Sequence, residues 1–574
     1  MKVIRRVLLI VIILALLVGF WLWWNRPQRV NMAAYVPGDS LVYLEANNLP
    51  EIANAIIQTD AWKALAPAAG IRSDMGRIGW LSRLAAWTGI GPADVVVLSR
   101  AQVAVTVLGI GAADAGDTLK LKPRYAVVVE THSSETRARA AVEKFIGDFA
   151  RRAYNNPAAT HETMDGVEAI VWSVPNTDRR IIAAVTGSVA VIGNDEGAVR
   201  ACLAVHRGER PSLSGNALLE EMRNRVEGDG ALAFGFVSPQ GAARLVEFSA
   251  PFYVSQIFSD PRFQSGAASL LPQLTNKILG GAGWSARLSN GTIEDRYFLA
   301  IQNGVATRLQ GAFVPSSVAT FGGKDFLPAD TYSASGYNTR DPQAAWGALN
   351  TSLSTQLGAL NAILVTTVLD ATVKSFGIDN ADTFLHSIGP EITTARLDQK
   401  GDRTVIIVEV RDEQTLRDFV SKRLATNSPT KERIGDAELL YTKDAKRGAA
   451  SFVAGRLIMG SIEDVRQCLQ ARSQGKTLDS SETFKLASRL TSSDTPALAA
   501  TYTKNDEATR RFINAVAAQR GVRERPANNS ELERALSRLA YALTETRMVE
   551  GGFERKTRSS FGQFGSLASQ FIAQ

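Results

Sequence analysis

The chain has 574 residues, of which 45 % are hydrophobic and 21 % charged, with only 4 His and 2 Cys. That length has room for roughly two to four domains with real cores. The ordinary composition excludes wholesale disorder, a collagen-like repeat and a disulfide scaffold. The 64 basic and 57 acidic residues leave a net charge of +7. No run of Lys and Arg is interleaved with aromatics, so no nucleic-acid partner is expected. The few Cys and His leave little for a metal centre, and neither a metal nor a cofactor is expected.

At the amino end Lys2, Arg5 and Arg6 precede an uncharged run, Val7–Trp24. As a helix it would rise about 27 Å, close to the ~30 Å of a hydrocarbon core. The run begins Val7-Leu8-Leu9 and closes with Trp21, Trp23 and Trp24, indoles that favour the headgroup layer. A cleaved signal peptide has a shorter apolar region and a small-residue cleavage site. Here the nearest small pair, Ala33 and Ala34, follows Asn31 and Met32. The expectation is therefore one uncleaved transmembrane anchor. The more basic leading end would stay cytoplasmic, and the bulk of the chain would lie outside the cytoplasmic membrane, in the periplasm of a Gram-negative cell.

After a linker over 25–35, the rest reads as one unit written twice, over 36–312 and 327–574 with a connector at 313–326. Val36-Pro-Gly-Asp-Ser40 opens the first unit and Leu327-Pro-Ala-Asp-Thr331 the second, Pro37 and Pro328 being 291 apart. Further matches follow in the same order. Gly89-Ile-Gly-Pro-Ala-Asp94 corresponds to Gly377-Ile-Asp-Asn-Ala-Asp382, Glu130 to Glu409, Thr136 to Thr415, Glu168 to Glu438, and Val199-Arg-Ala-Cys-Leu203 to Val465-Arg-Gln-Cys-Leu469. The offsets fall steadily to 266, as loop deletions in a duplicated domain would produce.

Each unit has the same predicted elements. A strand (Leu41–Ala46; Tyr332–Tyr337) leads into helix (Leu49–Leu65; Pro342–Phe376). Two strands follow (Gln102–Leu108 and Tyr125–Glu130; Glu391–Leu397 and Thr404–Val410). Ser133 and Asp412 are the expected N-caps of helices Ser134–Ala150 and Glu413–Ala425. Paired strands come next (Val167–Val174 and Ile181–Ile192; Glu438–Thr442 and Ala449–Met459). Then come the Cys-bearing helices (Glu196–Val205; Glu463–Ala471), a strand (Ala231–Val237; Ala497–Thr503), more helix and a last hairpin. Asn290-Gly291 marks the turn of that hairpin in the first unit. Hairpins mixed with helices, without βαβ alternation, predict an α+β fold with largely antiparallel sheet: a transmembrane helix followed by two tandem units.

Motifs that carry chemistry are missing. Gly109-Ile-Gly111 lacks the third glycine of a dinucleotide fingerprint, an aspartate standing at 114, and reads as a glycine-rich loop. No G-x-x-x-x-G-K-[ST], H-E-x-x-H, C-x-x-C or G-x-S-x-G occurs. His132, His161, His206 and His386 are scattered and do not recur between units. The recurring acids Glu130, Glu409, Glu168 and Glu438 would serve acid–base chemistry only if held close together; structural roles are expected. Cys202 and Cys468 occupy one position of the same helix in both units, and read as two buried free thiols.

The opener P-[AG]-D-[ST], together with Gly377-Ile-Asp-Asn-Ala-Asp-Thr-Phe-Leu-His-Ser-Ile-Gly-Pro-Glu391, resembles a family of membrane-anchored bacterial envelope proteins known only as a domain of unknown function. In the first unit Leu98-Ser-Arg-Ala-Gln102 departs from the pattern. The resemblance implies an anchored α+β protein and supplies no catalytic residue. The expected function is non-enzymatic binding or scaffolding at the envelope, the partner being the membrane and an envelope protein. The alternative is a carrier of a lipid-like ligand between sheet and helices, motivated by Phe252–Phe258 and Leu360–Leu369.

Overall fold

The computed structural model of the chain describes residues 29–69, 100–114, 119–155, 157–257, 261–316, 321–357, 378, 380–426, 428–491, 495–519 and 530–563. Strands of the first half are β1 (Val42–Ala46), β2 (Gln102–Asp114), β3 (Leu119–Glu130), β4 (Ala158–Met164), β5 (Val167–Ser173), β6 (Arg180–Thr186), β7 (Val189–Gly193), β8 (Ala233–Val237), β9 (Leu279–Ser289) and β10 (Thr292–Ile301). Those of the second are β11 (Ser333–Asn338), β12 (Ile388–Arg396), β13 (Thr404–Val410), β14 (Thr430–Ile434), β15 (Ala437–Tyr441), β16 (Ala449–Val453), β17 (Arg456–Gly460), β18 (Ala499–Lys504), β19 (Tyr541–Val549) and β20 (Gly552–Ser559).

All pairings are antiparallel, and they join the strands into a single sheet. Its first half runs β4-β5-β6-β7-β3-β2-β1-β8-β9-β10. The second half repeats that order in reverse, β20-β19-β18-β11-β12-β13-β17-β16-β15-β14. The halves meet where β10 pairs with β20, from Ile293 opposite Ser559 to Ala300 opposite Gly552. A Cβ at Gly552 would lie 2.1 Å from the Leu299 carbonyl oxygen, so this close approach needs a glycine.

One part of the expected architecture is refined and one is corrected. Among the described residues the two tandem units share one 20-stranded antiparallel sheet: the unpaired edge of each half is consumed by the other, which removes both edges at the centre. The membrane-spanning helix is not found: among the described residues no helix is long and apolar enough to cross a membrane. The expected span, with Val7, Leu8, Leu9, Trp21, Trp23 and Trp24, lies outside the described residues, as does Leu360–Leu369.

Local chemistry explains many elements. Asn290 and Gly291 both have positive φ (47° and 72°), the geometry of a two-residue hairpin turn between β9 and β10. The Ser40 hydroxyl donates to the Pro37 carbonyl (2.5 Å) and Thr331 does the same to Pro328 (2.7 Å). The repeated opener is thus one turn made twice. Asp412 caps its helix by accepting from the Thr415 amide at 3.1 Å. In the first half the cap position is Ser134, without a side-chain bond, and not the expected Ser133, whose hydroxyl pairs with that of Thr131 (2.8 Å). The helical stretch from Leu49 breaks at Thr59, whose hydroxyl accepts from the Trp62 amide and starts a second helix, Asp60–Ala68. Residues 181–192 and 449–459 each form two strands, not one. Gly109–Gly111 lies within β2 and is no loop.

Both faces of the sheet are covered. On one, the Cys-bearing helices Glu196–His206 and Ile462–Ser473 close two equivalent cores. The first contains Tyr43, Val128, Ile182, Phe234 and Cys202; the second contains Tyr502, Ile407, Phe484, Leu439 and Cys468. On the other, helices Glu135–Tyr154 and Glu413–Leu424 pack on Trp172 and Ile181, and on Val408 and Leu457. Helices also cross between halves. Trp62 and Leu65 pack with Phe512, Ile513 and Leu536, while Leu270 and Leu274 pack with Leu353. Each half thus lends helices to the other, as in a two-fold dimer interface.

Candidate functional site

The repeated residues singled out from sequence are far apart. Glu130 is on β3 and Glu409 on β13, with ten strands between them in the sheet order. Glu130 is buried, accepting from the His132 amide (2.8 Å) and the Tyr35 hydroxyl (3.3 Å). Beside it the buried Gln102 amide accepts from His132 Nε2 (3.0 Å) and grips both the amide and the carbonyl of Val30 (2.9 and 3.0 Å). This cluster fastens the chain that leads into β1. Glu409 lies against Gly389, where a Cβ would fall 2.5 Å from its carboxylate. Glu168 is exposed and accepts from Arg139 (2.7 Å); Glu438 is exposed and pairs with Lys431 (3.4 Å).

Cys202 and Cys468 are free and buried in separate cores. Burial pushes each thiol up to about 12, so neither is a nucleophile at neutral pH. Their neighbours carry more of the story. Arg200 of the V-R-x-C-L motif bonds Asp165 in the β4–β5 turn and Glu196 (2.8 Å). Arg466, its counterpart, holds Glu432 on β14 through two bonds (3.1 and 2.8 Å) and keeps that carboxyl below its usual range. The arginine of the motif therefore staples helix to outer hairpin in both halves.

A second concentration of charge sits at the joint. Glu294 on β10 is 2 % exposed and accepts from Arg287 (2.8 and 3.1 Å), Arg296 (2.9 Å) and Arg558 (3.0 Å). Arg558 reaches across the β10–β20 seam, and Arg547 completes the set by donating to buried Glu545 at 3.2 Å. On the opposite face Asp295 accepts from the Trp284 indole and the Gln563 amide, both at 3.0 Å. Burial raises its carboxyl to about 6, against the pull of those two donors.

Among the described residues the first half carries a groove of about 1010 Å³, lined by Lys122, Arg124, Arg179 and Arg180, by Tyr125 and Tyr154, and by the acids Glu162, Asp178 and Asp195. One wall is Lys122–Tyr125 of β3, which pairs with β2 in a hairpin whose register shifts between Val107 and Gly109 and which continues to Asp114 and Leu119. A bulge of this kind bends a hairpin away from its sheet. The second-half hairpin of β12 and β13 is shorter, spanning Ile388–Arg396 and Thr404–Val410. Asn194 ties the wall down, donating to the Pro123 carbonyl (2.8 Å) and accepting from the Tyr125 amide (3.0 Å). Gly109 makes room for Arg124, whose guanidinium would be 2.4 Å from a Cβ there. Arg179 lies over the Tyr154 ring, 5.2 Å from its centroid.

A smaller cavity of about 610 Å³ lies over the outer face of helix Glu196–His206, lined by Arg200, Arg207 and Arg210 with Asp165 and Glu209. Its arginines are consumed by ion pairs with Asp165, Glu209 and Asp39. Among the described residues no group of His, Cys, Asp and Glu is placed to hold a metal ion. No family model, curated protein or solved structure matches this chain.

Proposed function

We propose that this chain is a binding or scaffolding protein and not an enzyme. The observation that carries this reading is an asymmetry. Where the halves agree, as at the openers, the V-R-x-C-L arginines and the cysteines, the shared groups brace the fold. Where they differ, the first half extends a hairpin, and its strand β3 borders a groove lined by four cations, three acids and two tyrosines. Ligand sites are grafted onto scaffolds in this way, on loops and extensions held by rigid elements. The four repeated acids support the same conclusion, since none lies near another to form an acid–base pair. The setting we infer, the outer side of a bacterial envelope, rests on the resemblance of the two openers; protease accessibility in intact cells tests it.

The function test measures turnover by the purified full chain on ester, phosphoester and glycoside substrates. Activity is expected to be absent and unaltered in Glu130→Gln and Glu168→Gln. A turnover that disappears with either substitution overturns the reading.

A further inference from the structure

Arg124 and Arg403 hold equivalent places in the two halves. Each stands two residues before the strand residue that pairs with the terminal glycine of its neighbour, Ala126 with Gly193 and Val405 with Gly460. Arg403 is neutralised internally: its Nε donates to the buried carboxylate of Asp464 at 2.8 Å, and its terminal nitrogen bonds Gln467. In the first half the corresponding helix positions are Ala198 and Ala201, three and six residues after the caps Asp195 and Ser461 respectively set the count. Arg124 therefore has no acid from that helix. It is exposed and forms no ion pair among the described residues, and Arg179 is likewise paired only with an aromatic ring.

We propose that this groove binds an anion bearing phosphoryl groups, with Arg124, Arg179 and Lys122 as its cationic contacts. The proposal rests on the binding reading above and names its ligand chemistry. Guanidinium forks match phosphoryl oxygens bidentately, and the hydroxyls of Thr160, Ser173 and Tyr154 line the same space. The cavity has the size of a site for a small phosphorylated molecule or a lipid headgroup. Acids also face it. Asp195 is engaged by the Ala198 amide (3.0 Å), Asp178 pairs with Lys122 through an exposed 3.4 Å contact, and Glu162 accepts from Thr160 at 3.4 Å. A single negative charge would meet repulsion there, so the ligand that profits is one whose several charges reach Arg124 and Arg179 together.

The test is titration calorimetry on the full chain with inorganic tripolyphosphate. In parallel, flotation is measured with vesicles of cardiolipin, whose headgroup carries two phosphodiesters, in phosphatidylcholine. Saturable binding is expected, weakened at least about tenfold in Arg124→Ala/Arg179→Ala, whose melting temperature is expected to match the parent because both side chains are exposed. Lys431→Ala, an exposed cation of the second half, is expected to leave binding unchanged. Tripolyphosphate binding marks a soluble phosphate ester as the source, and arginine-dependent flotation alone marks a lipid headgroup; both support the site. Absence of both, or binding indifferent to the two arginines, overturns it. The binding reading itself would then still stand or fall on the turnover test.

Discussion

Arg296 and Lys556 stand opposite one another in the β10–β20 ladder, and each lies five residues beyond the glycine of its own hairpin turn, Gly291 or Gly551. An antiparallel ladder in which counterpart residues face each other has a local two-fold axis through that pair. The chain thus contains, within one polypeptide, the self-complementary contact of a symmetric dimer. Two cations at the axis would repel, and the buried carboxylates of Glu294 and Glu545 stand beside them with Arg287, Arg547 and Arg558.

Glu294 is the buried centre of that seam, and removing its charge leaves Arg287 and Arg296 to the exposed Glu227 and Arg558 to Glu545. Breaking a buried ion network by deleting one partner costs about 3–5 kcal/mol. Glu294→Gln is expected to lower the urea midpoint accordingly, while Glu247→Gln, in an exposed pair with Arg244, stays within about 1 kcal/mol of the parent. Equal effects of the two substitutions would refute the role assigned to Glu294.

Asp295 ties stability to pH in the opposite sense to a salt-bridged acid. Its folded value, raised to about 6 by burial, exceeds the unfolded value of about 3.9. The native state therefore holds the proton more tightly. Its contribution to stability is fully present below the unfolded value and is lost as pH rises through about 4 to 6. Two units correspond to at most about 3 kcal/mol. Asp295→Asn, which keeps an acceptor for Trp284, is expected to flatten this segment of the stability–pH curve. An unchanged slope in denaturant titrations at pH 4.5, 5.5 and 7 would count against it.

The two thiols are expected to stay unreacted in the native chain and both to be alkylated after denaturation, without reductant. Mass spectrometry of iodoacetamide-treated protein reads this directly. Cys202→Ser and Cys468→Ser bury a hydroxyl in place of a small apolar group, and each is expected to cost about 1–3 kcal/mol. Recovery of a Cys202–Cys468 peptide under non-reducing conditions would refute separate burial.

Much of the local structure was legible in residue order. The cap at Asp412, the Asn290-Gly291 turn and the helix around each cysteine depend on neighbours within a few positions, and there local chemistry decides. β4 and β14 do not show in the sequence because six of seven residues in β4 and three of five in β14 are exposed, leaving no apolar alternation to read. Gly109 lies within a strand for a related reason: it makes way for Arg124 on the partner strand, a requirement that does not show along the chain. The groove itself left one trace, Arg124 and Arg403 at the same offset of 279 as Glu130 and Glu409, but whether each arginine was paired could not be read from that spacing.

By itself, the sequence determined the α+β character, the order of elements in each half and the ordered matches between halves, since these follow from periodicity, caps and turns. Tertiary structure decided what the two halves do with their edges and which of the two equivalent arginines has an ion pair among the described residues. Those outcomes depend on contacts between residues far apart in the chain, as when β10 finds β20 or Asp464 meets Arg403. Such contacts exist only once the sheet has formed.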